Sequence, residues 1–232
     1  MGKKFNHLEI FPSNPMLMCI CGSSGSGKTY LTFNMLTTPK LLDFDSLYIY
    51  TTTPEQSYYQ FPKALEYIPK KDVQDIFQYY EDNEEIEIKR YLRYIYKRKE
   101  SIFQSNRHKS FSFSKIERKN LIVFDDCVAQ RNQAVQQEFF TKGRHHNCHC
   151  IYQSQSFYRM GAIFIRKNAN CFLLFELNDK DFSQIIQSIN HGMDRDTFKK
   201  DCKSQWRNQV DHGYTFVNTR NPAGERVITD IC

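Results

Sequence analysis

Residues Gly22-Ser23-Ser24-Gly25-Ser26-Gly27-Lys28-Thr29 satisfy the pattern G-x-x-x-x-G-K-[ST] at every required position. The chemistry of that pattern is phosphate binding. Glycines let the backbone wrap until its N–H groups converge on phosphate oxygens. A helix starting at the end of the loop adds a favourable dipole at the same spot. Lys28 is expected to reach the terminal phosphates, and the Thr29 hydroxyl to bind Mg²⁺; the expected cradle runs from Gly22 to Tyr30. A Ser/Gly-rich linker can match the pattern by chance. Here an apolar strand, Met16-Leu17-Met18-Cys19-Ile20, runs into the loop, and a helical run from Tyr30 to Leu36 leaves it. A linker requires neither. The residues therefore point to a nucleoside triphosphate site.

A second constellation is Leu121-Ile122-Val123-Phe124-Asp125-Asp126. A short continuous apolar run marks a strand buried on both faces. It delivers two carboxylates at its C-terminal edge, where open α/β sheets bind ligands. Asp125 is expected to hold Mg²⁺, and Asp126 to orient and activate an attacking water. Successive strand residues point to opposite faces, so the two carboxylates are expected to take different roles.

Downstream, Thr141 to Asn147 precedes a strand at Cys148 to Tyr152, followed by Gln153-Ser154-Gln155-Ser156. An uncharged polar residue at this strand's tip would sit between the phosphate loop and the Asp pair. Gln155 is the candidate, with an amide able to touch both the γ-phosphate and the water. Arg144 lies between a helix and a strand. An arginine at a domain edge can stabilise transition-state charge on a neighbouring subunit's nucleotide. It can equally cap a helix C-terminus, where positive charge is favourable.

Strands are expected at about 16–21, 47–50, 121–124, 150–152 and 171–175, and helices at about 30–37, 72–103, 133–142 and 179–189. Residues 214–228 read as a β-hairpin around Asn221-Pro222-Ala223-Gly224. Strands alternating with helices imply an α/β fold, with a mostly parallel central sheet flanked by helices. The 232 residues suit a single domain 1–232: a core at about 16–190, a charged helical insertion at about 72–119 and a C-terminal extension at about 191–232.

Apolar residues make up 40% of the chain, enough for a core, and the formal net charge of +6 hints at a polyanionic partner. No stretch approaches the roughly 18 apolar residues of a membrane span, and no secretory signal is expected. The eight cysteines are expected to be reduced. Cys19/Cys21 and Cys148/Cys150 alternate within strands, so each pair shares a face and reads as small buried hydrophobes. The run His145 to Cys150 lacks the second half of a zinc motif.

Taken together, these motifs resemble the FtsK–HerA superfamily of P-loop ATPases, and most closely the poxvirus-type DNA-packaging ATPases of large DNA viruses and virophages. The resemblance is carried by Gly22–Thr29, Leu121–Cys127, Phe139–Cys148, Ile151–Tyr158 and Ile165–Asn170, and covers about residues 16–190. It implies an ASCE/RecA-like P-loop NTPase fold. It matches Lys28 to the Walker A lysine, Asp125-Asp126 to Walker B, Gln155 to the sensor glutamine and Arg144 to an arginine finger supplied in trans, with Arg166 a second finger candidate. The implied activity is ATP hydrolysis with Mg²⁺ by a ring of five or six subunits that moves double-stranded DNA into a capsid. The implied partners are the DNA, the other subunits and a capsid or portal vertex, with no membrane. The implied location is the viral assembly site in the host cytoplasm, or the virion. The superfamily usually has Glu where this chain has Asp126; Asp is a methylene shorter, so backbone placement must make up its reach.

The insertion matches none of these motifs. Lys89 to Lys119 holds eleven Lys/Arg and two acids, a local charge of +9, just after the acidic run Glu81 to Glu87. Such separation suits sequence-blind phosphate contact. It also suits pairing between adjacent helices or subunits. The hairpin, with Arg220 and Arg226, is another candidate DNA surface. The alternative activity is that of a P-loop phosphotransferase acting on a nucleotide or small molecule. A kinase of that kind needs an acceptor pocket and an Arg-rich lid, whereas Asp126 and Gln155 suit water as the acceptor.

Overall fold

The computed structural model describes residues 9–12, 14–38, 41–44, 46–52, 100–103, 119–127, 133–157, 163–208 and 212–228. Strand β1 (Leu17–Cys21) leads through the phosphate loop into helix α1 (Lys28–Thr37). Then come β2 (Ser46–Thr51), β3 (Glu100–Phe103), β4 (Asn120–Asp125), α2 (Ala134–Lys142), a 3₁₀ turn (Gly143–His146) and β5 (Cys148–Ser154). The chain continues through α3 (Ile163–Asn168), β6 (Cys171–Phe175), α4 (Asp179–Ser188), α5 (Arg195–Asn208), β7 (Tyr214–Asn218) and β8 (Val227–Ile228).

The eight strands form one sheet in the order β3-β2-β4-β5-β1-β6-β7-β8. Strands β1 to β6 run parallel, and β7 and β8 close the sheet as the expected antiparallel hairpin. The strand bearing the Asp pair does not neighbour β1. Strand β5 is inserted between them, pairing with both.

Strands β1, β5 and β6 are buried at every position, and β1 and β6 accordingly read as continuous apolar runs. One face carries Met18, Ile20, Val123, Ile151 and Leu173 against Leu31 and Met35 of α1. The other carries Cys19, Ile122, Phe124, Tyr152 and Phe172 against side chains of α2 to α5 such as Phe139, Ile165, Phe182 and Phe198. Each fully buried side chain of this size contributes about 1.5–3 kcal/mol of burial. Among the described residues no helix is long and apolar enough to cross a membrane.

Two expectations need correction. The helix expected over about 72–103 does not reach its end, because residues 100–103 form strand β3 parallel to β2. Ile102 and Phe103 favour strands, and the open edge of β2 offers a row of backbone groups to pair with. The remainder, 72–99, lies outside the described residues. The extension also contains a helix, α5, that periodicity did not reveal. Its apolar stripe is only Phe198, Cys202 and Trp206 at four-residue spacing. Its start is set by Asp194, whose carboxylate accepts from the N–H groups of Asp196 (3.0 Å) and Thr197 (2.9 Å).

The seven cysteines among the described residues are free and buried. Burial pushes Cys127 and Cys202 up to about 12 and raises Cys19, Cys21, Cys150 and Cys171 as well. A thiol with a raised folded pKa stabilises the fold fully below the unfolded value of 9.0, and that contribution is lost as pH rises toward 12. The melting temperature is therefore expected to be level from neutral pH to just below 9.0 and to fall above it. Thiol labelling followed by mass spectrometry at mildly alkaline pH should leave Cys127 and Cys202 unmodified until the chain is unfolded.

Candidate functional site

The phosphate loop hangs between two strand ends. The Gly22 N–H donates to the Ser154 carbonyl at the end of β5 (3.3 Å), and the Ser23 N–H to the Glu176 carbonyl just past β6 (3.4 Å). A Cβ on Gly22 would stand 2.6 Å from both the Phe175 Cβ and the Ser26 Oγ, so only glycine fits. Gly27 begins α1 with φ +89°, a left-handed conformation that side chains rarely adopt. Gly27, the N-cap, has no side chain to cap α1, which leaves the positive end of the helix open to an anion among the described residues.

Lys28 reaches back across the loop. Its Nζ donates to the carbonyls of Gly22 (2.8 Å) and Ser23 (2.6 Å). Burial holds its pKa below the ordinary lysine value, and the charges of Asp125 and Asp126 oppose that shift. Lys28 shares one cleft with Ser24, Gly25, Thr29, Asp125, Asp126, Gln153, Ser154 and Gln155. Residues from the phosphate loop, β4 and β5 thus meet at the C-terminal edge of the sheet. Tyr30 stands apart from this cleft, 49% exposed on the first turn of α1.

Asp125 ends β4 and is buried. Asp126 lies beyond the strand with φ +51°. The strand alternation expected to separate the two carboxylates therefore stops at Asp125, and the turn carries Asp126 into the same cleft. There its Oδ2 accepts from the Gln155 Nε2 at 3.2 Å. Asp tolerates the left-handed region better than most residues. This turn is the backbone placement that a carboxylate one methylene short would need.

Gln155 follows the end of β5 in a pinned turn. Ser154 Oγ donates to the Ser156 carbonyl (2.8 Å) and accepts from the Ser156 N–H (3.2 Å). Ser156 Oγ donates to Oδ1 of the buried Asp181 (2.9 Å). Sequence reasoning passed over Gln153. It is 1% exposed, and among the described residues neither amide atom has a hydrogen-bond partner. It pairs in register with Asp125 on the adjacent strand, so the two share the α1 face. A buried amide without partners is costly and calls for one. That orphaned amide beside a carboxylate and the Thr29 hydroxyl is a set of hard oxygen donors, the kind that suits Mg²⁺ on phosphates. Among the described residues no group of three or more His, Cys, Asp or Glu is placed to hold a metal by itself.

The arginine candidates separate. Arg144 lies in the 3₁₀ turn before β5, at the opposite edge of the sheet from the cleft. Seven strand residues put about 20 Å between the two edges. Arg144 is thus remote from the cleft of its own subunit. The Arg166 guanidinium lies over Phe157 of its own subunit, 5.3 Å from the ring centroid. Of the basic segment, Lys119 forms an ion pair with Asp43; nearly all the rest lies outside the described residues. In the hairpin, Arg226 bonds to the Asn221 carbonyl and to Asn190, while Arg220 is exposed. Helix α5 adds a basic row that had gone unread: Arg195, Lys199, Lys203 and Arg207 at four-residue spacing, beside its apolar stripe.

Residues 3–201 match the model of the family described as Poxvirus A32 protein. Among solved structures, the chain is similar to the genome packaging NTPase B204 of Sulfolobus turreted icosahedral virus 2 in complex with AMPPCP. The TM-score is 0.54 at 12% identity, covering 92% of this chain and 96% of that one. It is similar also to VirB4 of Thermoanaerobacter pseudethanolicus, with TM-score 0.55 and 11% identity over 95% and 94% of the two chains. At such identity the likeness concerns the fold, which is that of a P-loop NTPase. A search of proteins with curated function gave no match.

Proposed function

This chain belongs to the Poxvirus A32 protein family, and from that membership we propose that it is an ATP-driven translocase that packages double-stranded viral DNA. The observation that carries the hydrolytic part is the Gln155–Asp126 hydrogen bond across the cleft from Lys28. It supports water as the acceptor over a second substrate, and so an ATPase over a phosphotransferase.

In this reading Gly22 to Tyr30 cradle the triphosphate, and Lys28 neutralises charge developing on its terminal phosphates. Gln155 orients a water and Asp126 takes its proton as the water oxygen bonds to the γ-phosphorus. The bond to the β-phosphate oxygen breaks, and ADP and phosphate leave. Gln153 turns its amide to the γ-phosphate or the water. Thr29 and Asp125 hold Mg²⁺, which when bound screens the phosphate charge. The whole chain acts as a single domain, 1–232. It assembles into a ring of five or six subunits at a capsid or portal vertex, in the cytoplasmic assembly site or the virion. Duplex DNA meets basic surfaces without regard to sequence, among which the α5 row is the best described.

Because Arg144 is remote from its own cleft, it serves a neighbour's. Subunits carrying Arg144→Ala, inactive alone, are expected to regain turnover on duplex DNA when mixed with inactive Lys28→Ala subunits. The latter then donate an intact Arg144 to an intact phosphate loop. Full activity of Arg144→Ala alone, with no recovery at any mixing ratio, would remove that role.

A further inference from the structure

The hydrolytic groups Asp126 and Gln155 share one cleft with Lys28 and Thr29. Outside that lining, around Gly27 at the start of α1, stand two aromatic rings that hydrolysis does not use. His212, just before β7, stands directly on Gly27. A Cβ there would meet the imidazole Cγ at 2.6 Å and Cδ2 at 2.9 Å. His212 is exposed and held at φ +56°. Its position follows from Gly213, which passes so close beneath α5 that a Cβ would stand 2.6 Å from the Gln205 carbonyl oxygen. A non-glycine residue held in the left-handed region by its surroundings often marks a functional position.

Tyr30 is three residues beyond Gly27, hence on the same flank of α1's first turn, and it is the exposed large hydrophobic residue among those described. Resting on the nucleotide reading above, we propose that His212 and Tyr30 form the nucleobase wall of the site, stacking against the base and ribose of a nucleoside triphosphate. A triphosphate held with its terminal phosphate toward Asp126 and Gln155 runs its nucleoside toward the α1 end of the loop. Two π-faces there suit a base better than they suit phosphate. The requirement for glycine at position 27 gains a second cause, since any side chain would displace the imidazole.

The test is calorimetric binding of ATP and of inorganic tripolyphosphate, each with Mg²⁺, to the full chain; no turnover is needed. His212→Ala is expected to weaken ATP at least about fivefold and leave tripolyphosphate unchanged. His212→Phe, which keeps a ring, should hold ATP near the wild-type affinity, and Tyr30→Ala should weaken ATP as His212→Ala does. Wild-type ATP affinity in His212→Ala would overturn the proposal. So would equal loss of ATP and tripolyphosphate, which makes His212 a prop for the loop, or a His212→Phe variant as weak as the alanine one. A wild-type chain binding neither ligand would overturn the nucleotide reading itself.

Discussion

Asp126→Asn is expected to lower ATP hydrolysis by about 10²–10⁴-fold, with ATP affinity within about threefold of wild type. The substitution is nearly isosteric, and Asn, like Asp, accepts the left-handed backbone that Asp126 adopts at φ +51°. The turn, the cleft and the phosphate loop should therefore persist. What is lost is the anionic oxygen that accepts from the Gln155 Nε2 and takes the water's proton. Equilibrium binding beside single-turnover phosphate release separates the two effects. Hydrolysis near the wild-type rate would assign the base elsewhere, and a parallel collapse of affinity would make Asp126 a structural residue.

Lys28→Ala is expected to lose about 10²–10³-fold in kcat and to weaken ATP binding as well. Two roles fail together. Transition-state charge on the terminal phosphates loses its cation, and the loop loses the tie between Nζ and the carbonyls of Gly22 and Ser23. Lys28→Arg should not restore turnover. The guanidinium is a planar fork, not a compact point charge, and it does not fit the place from which Nζ donates to both the Gly22 and the Ser23 carbonyl. Recovery in the arginine variant would show that charge alone suffices.

The site was legible in the sequence where local pattern and chemistry coincide. The phosphate loop needs glycines at fixed places, and those places are ones where close contact or positive φ forbids a side chain. Strands β1, β4 and β6 are covered on both faces, so their apolar runs stood out. The order of strands leaves no such mark. That β5 lies between β1 and β4 depends on long-range pairing, and so does the choice between two glutamines. Position at the strand tip points to Gln155, but Gln153 shares the face of Asp125, a relation visible only once the register is known. The turn at Asp126 had no glycine to announce it. Helix α5 leaves little periodicity, because three apolar residues among many charges make a weak stripe, although Asp194 is a good cap. Strand β3 was absorbed into the charged run before it. His212 reaches Gly27 through the course of the chain around Gly213 and α5, which no window of sequence contains.

The most direct test of the whole account is steady-state phosphate release from ATP by the wild-type chain as duplex DNA is added, beside Asp126→Asn. Turnover that rises to saturation with DNA, weakens steeply with salt and disappears in the variant is the expected result. No turnover, or turnover indifferent both to DNA and to the loss of the Asp126 carboxylate, would contradict it.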